Sequence, residues 1–174
     1  DSAQQWFRYH HQFRLMLVDR AKVLLADGEV ATLERRATDW LVAKGYLGEA
    51  LAEFVARKAW DSAAVVIEAD RHRLINNEAW HDLWRRLALL PEAVIANRAG
   101  LLLARAWILQ FQSRNAAIPP LLAAADQLIR SGRVASDEQP VVLLGEIGAL
   151  RGSWVFGDLP PDQRLVCVQE ALAA

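Results

Sequence analysis

The sequence predicts an all-α chain built of antiparallel helix–turn–helix repeats. Three observations carry this. Ala, Leu, Arg and Glu dominate the 174 residues, while the period-2 alternation of strands is nearly absent. Hydrophobic residues make up 53%, enough for a sizeable core. Turn signals recur at a regular interval: Gly45 and Ser113 lie about two ~34-residue periods apart, with Asn76-Asn77 near the midpoint. That period belongs to tetratricopeptide units, so the expected architecture is a tetratricopeptide-like, right-handed α-α superhelix.

Taken in order, residues 6–10 alternate briefly and read as a short strand or a helix entry. Apolar positions from Phe13 to Leu25 suit a first helix over about 11–26, broken by Asp27-Gly28. A second helix spans about 29–44 and stops at Gly45, a residue suited to the left-handed position past a helix end. Helices follow over 47–58, 61–74 and 78–90, the last closed by Pro91. A long helix covers 98–112. Pro119-Pro120 sit where a first turn accepts proline, giving a helix over 118–129 that ends at Ser131-Gly132. Another runs over 137–155 with Pro140 in its first turn. Gly157 to Pro161 is a turn, and 161–172 the last helix. Ala50, Ala106 and Ala125 are small enough to let neighbouring helices approach closely.

Composition excludes several function classes. Twenty basic and 21 acidic residues give a net charge of −1, so no basic surplus exists to track nucleic acid or an anionic membrane. Cys167 is the single cysteine, which fits a reducing, cytoplasmic setting. No signal peptide or membrane-length apolar run occurs. Adjacent His10-His11 make a poor metal face, and His72 and His81 lack ligand partners at suitable spacing. No metal or catalytic set emerges. Cys167 reads as core, and Ser62, Ser113, Ser131, Ser136 and Ser153 lack the context of a nucleophile. Glu49 with Glu53, and Glu138 with Glu146, read as solvated helix faces. So do Arg35-Arg36, Arg71/Arg73 and Arg85-Arg86, with local ion pairs to Glu34, Asp70 and Asp82. The chain is read as no enzyme.

The seven tryptophans are the best functional clue. Trp40, Trp60 and Trp107 occupy core-like positions. Trp80 and Trp84 are four apart on one helical face, with Asn77 and His81 nearby. These four residues are the candidate ligand or partner groove, although a seam between repeats explains them too.

Several segments carry a family resemblance. Trp6-Phe7-Arg8-Tyr9-His10-His11-Gln12-Phe13 resembles the segment that closes the winged helix of the MalT-like, ATP-dependent large LuxR-family (STAND-type) transcription regulators. Glu34-Arg35-Arg36-Ala37-Thr38-Asp39-Trp40, Gly45-Tyr46-Leu47-Gly48-Glu49-Ala50, Ala59-Trp60-Asp61-Ser62-Ala63-Ala64, Trp84-Arg85-Arg86-Leu87 to Leu90-Pro91, and Leu101 to Trp107 are similar to successive steps of that family's helical sensor. The resemblance covers about residues 6–130; 133–174 carry no such signature. It implies a winged-helix tail and linker over 1–26 and a signal-receiving repeat domain over 27–174. It also implies an ATP-binding module upstream and a LuxR-type DNA-binding helix-turn-helix downstream. Neither is in this sequence, so no cofactor and no direct nucleic-acid contact are expected here. The implied partners are a small-molecule inducer (a sugar or catabolic metabolite), a regulatory protein, and the other domains of the same chain. The role implied is sensing in control of a catabolic operon. The alternative is a generic protein–protein scaffold without a small ligand.

A core role for Trp107 makes a first prediction. Trp107→Ala should cost roughly 3–5 kcal/mol through cavity formation. A denaturant melt showing a loss below ~1 kcal/mol, the scale of surface substitutions, would place this side chain outside the core.

Overall fold

A computed structural model describes residues 11–25, 27–132 and 138–153, with single positions between 160 and 169. Every element among them is helical: α1 His11–Leu24, α2 Asp27–Ala43, α3 Leu47–Ala56, α4 Trp60–Asn76, α5 Trp80–Leu87, α6 Glu92–Ala96, α7 Ala99–Phe111, α8 Ile118–Arg130 and α9 Pro140–Gly152. A 3-10 turn, Asn115–Ala117, leads into α8. The all-α expectation holds. The Trp6–His10 segment, Cys167 and all of the 157–161 turn but Pro160 lie outside the described residues, as does most of the 161–172 helix.

One helix lies outside every expected segment. The 78–90 segment ends as α5 at Leu87, and Pro91 opens the five-residue α6 instead of merely stopping a helix. Proline lacks the amide that a continuing helix would need, yet it is accepted beside a new first turn. Pro119-Pro120 and Pro140 occupy first-turn positions of α8 and α9, as expected.

The helix ends show the repeat. Gly45, Lys58, Glu78 and Ser113 all take left-handed backbone, with φ of 77°, 56°, 56° and 57°. At each, the next amide donates back five residues: Tyr46 to Leu41 O, Ala59 to Phe54 O, Ala79 to Leu74 O and Arg114 to Leu109 O, at 2.8–2.9 Å. This closure satisfies carbonyls that a helix end leaves unpaired. Positions 45, 78 and 113 therefore step by about 34 residues, with the middle turn centred on Glu78, just past Asn76-Asn77.

Contacts divide the chain into two compact units, meeting between Tyr46 and Leu47. The sequence-based join at 26/27 remains an expectation drawn from the family resemblance. In the first unit, Thr38 is buried and donates its hydroxyl to Glu34 O at 2.8 Å. Trp40 stacks on Tyr46 at 5.8 Å. Its core assignment is corrected, because half of its surface faces solvent.

In the second unit α7 is central. It packs against α4, α5, α6, α8 and α9. Ala99 to Ala104, Ala106 and Ile108 are all buried, so the helix is apolar nearly all round, as a buried helix must be. Ala50, Ala106 and Ala125 have no exposed surface, in keeping with close helix approach. Ile67, Leu83, Leu101, Leu103, Ile118, Leu122, Leu143 and Leu150 complete the core. Each such side chain contributes ~1.5–3 kcal/mol by leaving water. Trp60 and Trp107 pack against this core while half-buried.

The left-handed turns give a stability prediction. Glu78 is exposed and carries a Cβ in a conformation that glycine adopts freely. Glu78→Gly should raise unfolding free energy by about 0.5–1 kcal/mol. Urea melts check this; a loss of stability would mean that unfolded-state entropy outweighs the relieved strain.

Candidate functional site

The tryptophan pair stands at the start of α5. Leu83 and Leu87 bury one face of this helix, which turns Trp84 and Arg85 outward. Trp80 is half-buried and stacks on Phe111 of α7, with ring centroids 5.1 Å apart and planes 20° apart. His81 stacks on Trp84 at 5.9 Å. Together with Ile108 and Gln112 these rings line a cleft of about 350 Å³. A second cleft of about 400 Å³ shares Trp84, Ile108 and Gln112 and reaches Glu92, Arg105 and Arg114. Across it Arg105 grips Glu92 in a two-pronged ion pair at 2.6 and 2.8 Å. Trp84 is half exposed and Phe111 62% exposed, so the groove is open to a visitor.

Of the four residues singled out in the sequence, Trp80, His81 and Trp84 come together. Asn77 does not line either cleft; it caps the end of α4 and is exposed. Phe111, Gln112 and the Arg105–Glu92 pair were missed. Their signal was faint: Ile108, Phe111 and Gln112 share one face of α7 by their i, i+3, i+4 spacing.

A second polar assembly lies inside the same unit, and it corrects two readings. Arg71 is fully buried, not solvated. Its guanidinium bonds Glu138 through Nη1 and Glu146 through Nη2, the latter at 2.5 Å. Glu146 is itself buried, on the inner face of α9. It also meets His72 Nε2 at 3.2 Å and accepts the indole N–H of Trp107 at 2.8 Å. Beside it, Arg98 donates to Glu68 Oε2 from Nε at 3.1 Å and from Nη2 at 2.8 Å, both residues being buried. The local pairs Asp70–Arg73 and Asp82–Arg85 form as the sequence suggests. Asp70, however, is buried and also binds Arg86 of α5 at 2.6 Å.

Electrostatics differ across the assembly. Burial works to raise the Glu146 pKa, but the His72 hydrogen bond and the Arg71 charge and hydrogen bond outweigh it and hold the carboxyl below its ordinary value. Burial pushes Glu68 up, and Arg98 offsets only part of that. Buried ions need such partners, because desolvation costs several kcal/mol per charge.

These features meet a distinct set of relatives. The chain is 28% identical to the HTH-type transcriptional regulator MalT of Klebsiella pneumoniae, over 94% of its own length. The corresponding figures are 29% and 94% for MalT of Cronobacter sakazakii, and 26% and 99% for MalT of Yersinia pestis. It is similar to one stretch of MalT. The chain spans 17–19% of the length of these relatives. The MalT-like resemblance seen in the motifs therefore extends beyond residues 6–130 to nearly the whole chain. No family model and no solved structure matches. Among the described residues, no helix is long and apolar enough to cross a membrane.

The buried assembly predicts a pH-dependent defect. A lowered Glu146 pKa contributes stability that is present above the ordinary glutamate value and is lost as pH falls through the folded-state value. Arg71→Ala should cost about 3–5 kcal/mol at neutral pH by leaving carboxylates buried and unpaired. The deficit should shrink in acid as those carboxylates protonate. Urea unfolding of both proteins at neutral and acid pH checks this; a deficit independent of pH would count against it.

Proposed function

We propose that this chain is a signal-receiving helical-repeat segment of a LuxR-family transcription regulator of the MalT type, and that the α5–α7 groove receives its inducer. The observation that carries the reading is the open, stacked aromatic groove of Trp80, Trp84 and Phe111, bordered by Gln112 and the Arg105–Glu92 pair. Flat aromatic faces beside a few directed polar groups suit a sugar or a small catabolic metabolite. The similarity to MalT over nearly the whole chain supports the regulatory setting. The reading gives this segment no catalytic role and places it in the cytoplasm. ATP binding and DNA reading then fall to other parts of the regulator.

Calorimetry of the chain against oligosaccharides and small catabolic metabolites tests this. One of them should bind, and Trp84→Ala should weaken it at least ~10-fold, or about 1.4 kcal/mol, with the thermal midpoint unchanged. Binding unaffected by Trp84→Ala would refute the groove assignment. No heat with any candidate would favour a protein–protein scaffold instead.

A further inference from the structure

The buried assembly holds more negative than positive charge at one point. Glu68, Glu138 and Glu146 face two guanidiniums, those of Arg71 and Arg98. Glu146 is fully partnered by Arg71, His72 and Trp107. Glu68 and Glu138 are not: each spends one oxygen on an arginine and leaves the other buried without a hydrogen-bond partner. Those two orphaned oxygens, Glu68 Oε1 and Glu138 Oε2, converge on the bare Cα of Gly100 at the N-terminus of α7. A Cβ there would sit 2.9 Å from both. Two ionised carboxylates brought together in this way repel, and each unpaired buried oxygen carries its desolvation penalty. One proton removes both problems, since one carboxyl then donates an O–H and the other accepts it.

We propose that Glu68 and Glu138 hold one proton between them, closing a pH-sensitive clasp across the start of α7. Charge then balances: two carboxylates face two guanidiniums. The other ionisable groups nearby do not supply that proton. On α4, Arg71 faces Glu138 and Glu146, and His72 meets Glu146. At the N-cap of α7, Arg98 is committed to Glu68, with Asp61 at 3.6 Å on its solvent side. On α9, Glu146 is already partnered. The raised Glu68 pKa agrees with this arrangement. When pH rises the proton passes to water, and Glu138, the more exposed of the pair, swings away from Glu68. The contact across Gly100 then opens, while Arg71 still ties Glu138 and Glu146 to α4.

A raised folded-state pKa gives stability that is full below the ordinary glutamate value of 4.5 and is lost as pH climbs through the folded-state value. Glu138→Gln tests this in the 174-residue chain, because its amide can donate to Glu68 Oε1 and accept from Arg71 without any titrating proton. Difference infrared spectroscopy of the wild type should show a protonated-carboxyl band persisting at pH values where exposed glutamates are already ionised. E138Q should lack that band. Its thermal midpoint should be flat over the same range and about 2–4 °C higher than wild type at the upper end. Glu68→Gln should also abolish the band, which keeps the test sound if E138Q folds poorly. A folded wild type without the band, or an E138Q profile that keeps the wild-type slope, overturns the proposal.

Discussion

The guanidinium of Arg71 is the point on which the second unit depends. It has no exposed surface, and it ties α4 to α9 and to the segment before α9, across 75 and 67 residues of sequence. A buried cation is expensive on its own, so its value lies in geometry: a one-turn slip of α4 against α9 would strand it away from both carboxylates. Apolar packing alone tolerates such slips better, because Leu and Ile contacts are nearly interchangeable along a helix pair. Glu146 extends the constraint to α7 through the indole of Trp107. Arg98 and Glu68 pin the other end of α7 to α4. Three helices, α4, α7 and α9, thus share one polar register inside an apolar core.

Helix ends are set by local closure instead: left-handed residues at 45, 78 and 113 end α2, α4 and α7 with the same five-back hydrogen bond. Only the first is glycine, so the other turns carry a Cβ in a disfavoured region. Tertiary packing of Leu74 and Ala79, and of Ile108 and Leu109, offsets that local cost. The repeat is therefore conserved in backbone geometry while its turn residue varies, which explains why its sequence signal is degenerate.

That contrast governs what was legible beforehand. Helix type, the proline-started helices and the turn spacing depend on near neighbours, and all could be read from the residues. The short helix α6 after Pro91 was not legible, because one proline serves equally as a stop and as a start. Arg71 and Arg73 looked alike, yet two residues on a helix point to nearly opposite faces. Only the distant partners Glu138 and Glu146 decide which of the two is buried. Trp40 misled for the converse reason: its size suggests a core, but its stacking partner is Tyr46 at the helix end and half of it stays in water. At the groove, the i, i+4 tryptophan pair was visible. Phe111 and Gln112 were not, because they arrive from the end of another helix, 27 or more residues further on.

The groove and the ionic register meet in α7. Ile108 and Gln112 line the clefts, and Trp107, next to Ile108, bonds Glu146. An occupant that presses on Trp84 and Gln112 therefore bears on the helix that Arg98–Glu68 holds at one end and Trp107–Glu146 holds in the middle. Any displacement of α7 along its axis must stretch both. A ligand signal needs only ~1–3 kcal/mol of differential binding to be transmitted, and one buried charge-assisted hydrogen bond is worth about that much. Under the proposed reading, an occupant of the groove acts on the helix whose position these buried ion pairs fix.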